Sequence, residues 1–152
     1  METVSVQTDI SAPPELVWSL ISDVTRMGEW SPEATGAIWK GDASGPAVGA
    51  KFTGTNANGK KSWKTDCEIT ACEPGREFGF RVTAVSLKIA RWEYRIEPTD
   101  GGCRVSETWT DDRGGLAKFA GKFASGVAER DDHNRRTMEH TLAALRTAAE
   151  SG

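Results

Sequence analysis

No window of this chain approaches the roughly 18 consecutive apolar residues that a membrane-spanning helix needs, and Met1 leads straight into a strand-like alternation rather than a leader peptide. Stable membrane insertion is therefore not expected, and a cytoplasmic location is the default expectation. Cysteine is scarce and odd in number: Cys67, Cys72 and Cys103. Without a leader, that count points to reduced thiols and not to a disulfide framework. Cys67 and Cys72 sit five apart in one expected strand, so they point to opposite faces unless a bulge intervenes. Histidine is scarcer still, with His133 and His140 alone, both read as facing solvent. There is no CxxC pair and no HxxxH-type cluster, and the glycine-rich pieces lack phosphate-loop and dinucleotide spacings, so no metal and no cofactor is expected. The net charge of −3 offers no electrostatic footprint for nucleic acid or an anionic membrane.

What the chain does have is apolar and aromatic substance. Its 152 residues are 38% hydrophobic, with six Trp and five Phe. With glycine counted, roughly half of it is apolar, as in ordinary folded domains. The length suits one core, no linker or internal repeat divides it, and residues 1–152 are read as a single ligand-binding domain.

Val4, Val6, Thr8 and Ile10 alternate with Ser5, Gln7 and Asp9, the period of a half-buried strand. Pro13-Pro14-Glu15 then starts a short helix with Leu16, Val17, Leu20 and Ile21 on its buried stripe. A second short helix runs from Asp23 to Trp30 and is stopped by Pro32. Six further strands are expected: 34–40, 51–56, 62–72, 77–84, 88–97 and 103–111. Asn58-Gly59 is the strongest hairpin signal among their short connections, which imply an antiparallel meander. Arg91, Glu93, Arg95 and Glu97 alternate with Ala90, Trp92, Tyr94 and Ile96, and Lys64, Asp66, Glu68 and Thr70 alternate with Trp63, Thr65, Cys67, Ile69 and Ala71. One sheet face is thus charged and the other apolar.

From Leu116 to Ala149 the period is helical, with Leu116, Ala120, Phe123, Val127, Met138, Leu142, Leu145 and Ala149 on one stripe. Such a helix, if straight, would run about 50 Å, against the ~40 Å that a compact chain of this length spans. A bend or break is expected at Gly121 or Gly126.

One helix about 10 Å across cannot fill the concavity of so large a twisted sheet, which leaves a pocket walled by Trp63, Phe78, Phe80, Trp92, Tyr94 and Trp109. Two polar intrusions favour a site there. Glu107 shares parity with Cys103, Val105 and Trp109 on the last strand, and Asp131 and Asn134 fall within the apolar stripe of the helix. Buried polar groups need partners or a wet cavity. Phe119 and Phe123, flanked by glycines, form either a lid or plain packing over the pocket. Glu107 reads either as a general acid/base or as a carboxylate paired at the cavity mouth. The run from Arg130 to Arg136 reads as a solvated helix face.

The order of elements resembles the START-like, or Bet v 1-like, helix-grip superfamily: an α+β fold in which a curved sheet of six to seven antiparallel strands grips a long C-terminal helix. Closer wording lies in Ala12-Pro13-Pro14-Glu15-Leu16-Val17-Trp18, Trp30-Ser31-Pro32, Gly45-Pro46 with Val48-Gly49-Ala50-Lys51-Phe52, and Trp92-Glu93-Tyr94. These are similar to the bacterial polyketide cyclase/dehydrase and lipid-transport group. The resemblance implies a carrier or sensor of a small hydrophobic, lipid-like or polyketide-like molecule. It leaves two alternatives: a cyclase or dehydratase using Glu107 or Asp131 as base with Tyr94 as oxyanion donor, and a co-chaperone-like interaction module. The sequence names no ligand and no oligomeric state.

Overall fold

The computed structural model describes residues 3–125 and 130–151, with side chains outside 122–125. Strand β1 (Thr3–Ile10) leads through Pro13 into helix α1 (Pro14–Ser22). Pro13 is extended, and its carbonyl accepts from the Leu16 and Val17 amides, so the helix starts where proline's missing donor costs nothing. Val17, Leu20 and Ile21 are buried as expected; Leu16 is not, at 38% exposed, because it sits beyond the edge of the contact stripe. The Trp18 indole N–H donates to the Glu77 carbonyl at 2.9 Å and fastens α1 to the sheet. A 3₁₀ turn (Val24–Arg26) runs into helix α2 (Met27–Trp30), completing the second helical segment.

Strands β2 (Ala34–Trp39), β3 (Lys51–Asn58), β4 (Lys61–Glu73), β5 (Glu77–Ala84), β6 (Leu87–Thr99) and β7 (Gly102–Asp111) follow. The sheet has seven strands in the order β1-β7-β6-β5-β4-β3-β2, with every neighbouring pair antiparallel. It carries the expected facing, with Tyr94 and Ile96 buried between exposed Arg91, Arg95 and Glu97.

Three local features depart from the expected pattern. The first hairpin turns at Gly59-Lys60, closed by Asn58 opposite Lys61, one residue later than Asn-Gly would centre it. Gly59 at φ +60 supplies the positive angle such a turn needs first. A bulge at Thr70 shifts register, so that Ile69 faces Phe80 while Ala71 faces Gly79 and Cys72 faces Phe78. Ala71 therefore leaves the inner face, and Cys72 joins Cys67 on it. The third concerns the C-terminal helix.

That helix is described in two pieces, α3 (Gly115–Ser125) and α4 (Arg130–Glu150). Gly121 lies inside α3, and Gly126 is outside the described residues. Met138, Leu142, Leu145 and Ala149 of α4 are buried as the period requires. Leu116, at 71% exposed, and Ala120 are not, and Ala117 is the buried residue among the described side chains of α3. The expected stripe therefore holds over Met138 to Ala149 and not at Leu116 and Ala120. α4 packs on β1 and β7 and meets α1 and α2, whereas α3 leans toward β4 and β6. This is the α+β helix-grip architecture, with the core between the sheet's inner face and α4.

Candidate functional site

Between the sheet and its helical cover lies a cavity of about 330 Å³, at the small end of the range for ligand pockets. Trp63, Phe80, Trp92, Tyr94, Glu107 and Trp109 all line it. The β6–β7 register arranges four of these in two layers, with Trp92 opposite Trp109 and Tyr94 opposite Glu107. The two indoles lie 6.5 Å apart and tilted, forming one wall. Phe78 is fully buried behind the wall and does not reach the cavity.

Glu107 is 2% exposed, and its only side-chain hydrogen bond among the described residues comes from the Tyr94 hydroxyl, which donates to Oε2 at 2.7 Å. Burial pushes its carboxyl up to about 8, against the smaller opposing pull of the Tyr94 hydrogen bond. Near neutral pH it is therefore mostly a carboxylic acid. With Oε2 accepting from Tyr94, its proton belongs on Oε1, an atom buried without a partner among the described residues. Burial likewise holds the Tyr94 phenol well above its ordinary value, with the Glu107 charge adding to the effect. Tyr94→Phe should raise the Glu107 pKa further and destabilise the fold by about 1–2 kcal/mol. Following the Glu107 carboxyl by NMR through a pH titration checks the first, and urea unfolding the second.

The other described buried side-chain atom without a partner is Trp30 Nε1, and Trp30 also lines the cavity. The sequence placed Trp30 on the apolar side of its helix, but nothing in a three-residue spacing says that its indole N–H turns inward. The Arg26 guanidinium lies over the ring, 5.0 Å from its centroid. Two residues of a mainly apolar lining thus each carry a buried polar atom without a partner among the described residues, an N–H donor and a carboxyl oxygen.

A third polar group gathers where α4 begins. Arg130 Nη1 donates to both carboxylate oxygens of Glu33, at 2.7 and 2.9 Å, and to Asn134 Oδ1 at 3.3 Å. Its guanidinium lies 5.6 Å from the Trp63 ring centroid. His133 Nε2 is 2.9 Å from Glu33 Oε2. Arg130, Glu33, Asn134 and Trp63 all line the cavity. The expectation that Arg130 to Arg136 forms a wholly solvated face is corrected for Arg130, His133 and Asn134, which turn to the core side. Asn134 was expected there; Arg130 was not, since its partner stands 97 positions away.

Asp131 does not line the cavity. It and Asp132 occupy the first turn of α4, where carboxylates complement the helix dipole, and that accounts for an acidic residue at this point. Phe119 is 66% exposed and lies off the cavity. The Phe123 side chain and Val127 fall outside the described residues. Burial pushes the Cys67 thiol up to about 12, so it lines the cavity as a small hydrophobe.

A family model described as polyketide cyclase/dehydrase and lipid transport matches residues 1–150. No curated protein matches the sequence. The solution structure of the Polyketide_cyc-like protein Cgl2372 from Corynebacterium glutamicum is 35% identical, with 96% of this chain and 90% of that one covered and a TM-score of 0.63. The di-domain ARO/CYC StfQ from the steffimycin biosynthetic pathway is 13% identical, covering 98% of this chain and 50% of its own, with a TM-score of 0.75. The Aha1 dimer from Colwellia psychrerythraea is 17% identical over 99% and 97% of the two chains, at a TM-score of 0.65. At that identity these last two share the fold alone.

Proposed function

We infer the function from one premise: this chain belongs to the polyketide cyclase/dehydrase and lipid transport family. Its role is to hold a small, mostly apolar molecule bearing oxygen functions, as a carrier or sensor. One observation carries this reading: the two buried side-chain atoms without a partner among the described residues, Trp30 Nε1 and Glu107 Oε1, belong to residues lining the same apolar cavity. An unsatisfied buried polar group is costly, and a ligand that satisfies it recovers that cost on binding. Trp30 offers a donor to a carbonyl or ether oxygen. Glu107, neutral near pH 7, donates to a carbonyl or hydroxyl, and once ionised it accepts from a hydroxyl.

Tryptophan fluorescence titrated with naphthalene, 1-naphthol and 1-tetralone tests the reading, because Trp30, Trp63, Trp92 and Trp109 all line the cavity. The oxygenated probes should bind about tenfold tighter than the hydrocarbon, the worth of one satisfied hydrogen bond. Equal affinity for all three would remove the polar anchors from the account. Binding of none, with no molecule carried through gentle purification in native mass spectra, would remove the ligand. Ala90 lines the cavity beside Trp109 and Met138 and is 4% exposed. Ala90→Leu should weaken every probe by about tenfold or more by filling space, while stability changes by about 1–2 kcal/mol. Calorimetric unfolding together with the same titration separates the two effects.

A cyclase or dehydratase reading is favoured by one feature, the raised carboxyl of Glu107, which suits a general acid/base working near neutral pH. Tyr94 would have to release Glu107 to serve as an oxyanion donor, and Asp131 stands off the cavity. Unchanged turnover of an oxygenated polyketide-like substrate by Glu107→Gln would dismiss the acid/base role. An interaction-module reading has no comparable support from the cavity.

A further inference from the structure

We propose that the ligand presents a basic amine, held as an ammonium ion between Glu107 and the Trp92–Trp109 wall. The proposal rests on the cavity being a ligand site and names the group that meets its buried carboxyl. Charge balance carries it first. Four of the described lining residues bear carboxyl or guanidinium groups: Glu33, Glu107, Arg113 and Arg130. Arg130 is engaged by Glu33 at 2.7 Å. Arg113 donates from Nε and Nη2 to the two carboxylate oxygens of Asp111, both at 2.9 Å. Among the described residues no cation pairs with Glu107, whose Oε1 is buried without a partner. A positive charge that matches this carboxylate has to come from outside the chain.

The rings point the same way independently. Indole faces attract cations, and two of the four lining tryptophans already have one. Arg26 lies over Trp30 and Arg130 over Trp63, at 5.0 and 5.6 Å from the ring centroids. Among the described residues no cation lies over Trp92 or Trp109. These two indoles adjoin the Tyr94–Glu107 layer. Trp109 stands two positions from Glu107 on the same face of β7, about 7 Å along the strand. One ammonium group can therefore donate to Glu107 Oε1 and lie against an indole. The lining reaches solvent at Val85, 92% exposed, and runs along helix α3 by way of Ala117 and Ala120. That end leaves room for the ligand's apolar body, with its amine innermost.

Binding then has a definite proton balance. Near pH 7 the amine arrives as an ammonium ion and Glu107 as a carboxylic acid, its carboxyl raised by burial to about 8. The ammonium beside it favours the carboxylate. The Glu107 proton passes to the buffer, and an ammonium N–H donates to the Oε1 that carried it. No other described group at the cavity supplies that proton. Tyr94 of β6 and Cys67 of β4 are held protonated by burial. Arg113 is tied to Asp111, and Arg130 to Glu33. Val6 faces Glu107 from β1, and Asn134, Met138 and Thr141 line the cavity from α4; none of these titrates. An alcohol or a ketone in the same place needs no proton transfer.

The test is isothermal titration calorimetry of the purified protein with 1-naphthylmethylamine and with 1-naphthalenemethanol, its neutral counterpart, in phosphate and in Tris at pH 7. The amine should bind about tenfold tighter, the margin of a charged over a neutral hydrogen bond. The heats in the two buffers should show release of about one proton for the amine and none for the alcohol. Glu107→Gln should lower amine affinity about tenfold and abolish the release. Asp132→Asn makes the same acid-to-amide change on an exposed residue outside the cavity and should alter neither. An amine that binds no tighter than the alcohol, or that releases no proton, overturns the proposal. So does a Glu107→Gln protein that keeps the preference for the amine, or an equal loss in Asp132→Asn. If the alcohol binds and the amine does not, the ligand site stands and the amine falls; if neither binds, both fall.

Discussion

At pH 8, Glu107→Gln is expected to make the empty protein more stable than the wild type by about 4 kcal/mol, and at pH 4.5 to leave it nearly equal. The sign follows from proton linkage. An unfolded glutamate ionises near 4.5, whereas burial in the cavity holds the folded group near 8. Between those values the folded state binds a proton that the unfolded state has lost. The stabilising contribution is complete below pH 4.5 and drains away as pH rises through about 8. A glutamine at this position does not titrate, and its amide carbonyl still accepts from Tyr94, so the variant loses this slope and little else. Urea unfolding at a series of pH values measures it. Parallel stability profiles for the two proteins would mean that Glu107 is solvated in the native state and is no anchor for a ligand. A carboxylic acid retained at a cost in an apolar chamber, where glutamine would be more stable, is the pattern of a site built for binding or proton transfer.

How much of this was legible beforehand depended on the range over which each feature is set. Strand facing is a two-residue property, and it put Trp92, Tyr94, Glu107 and Trp109 on the inner face before any coordinates. Their layering is a register property, fixed by the short turn between β6 and β7, so the Tyr94–Glu107 contact was within reach of the same reasoning. The Thr70 bulge was not, because one extra residue reverses parity for all that follows, and no residue type in that stretch announces it. The helical stripe held over Met138 to Ala149 and failed at Leu116, which is exposed while Ala117 beside it is buried. Trp30 and Arg130 were missed differently. An indole's rotation and a salt bridge between the start of β2 and the start of α4 are tertiary facts. The only hint was that the residues around Asn134 carried more polar groups than a buried helix face tolerates. Asp131 drew that suspicion wrongly, since a helix's first turn is where acids are welcome without a ligand.

The Arg130 arrangement yields the second large effect. Glu33 and Arg130 have side chains only 17% and 12% exposed, and their bond joins the start of β2 to the start of α4, with Trp63 of β4 beside the guanidinium. Three separate elements are thus strapped together along one margin of the cavity. Arg130→Ala should cost about 2 kcal/mol: less than the loss of one partner from a fully buried pair, because water reaches both groups and His133 still contacts Glu33. The consequence for binding is kinetic. With the strap gone the margin opens more often, and 1-naphthol should leave about tenfold faster in stopped-flow fluorescence. Glu33→Gln weakens the same bond while keeping its shape, so it should accelerate release by a smaller factor. Arg130→Lys restores the charge but not the stack on Trp63 and should fall between. If release stays at the wild-type rate in Arg130→Ala while stability drops, the ligand exchanges elsewhere, and the end lined by Val85 and α3 becomes its one route.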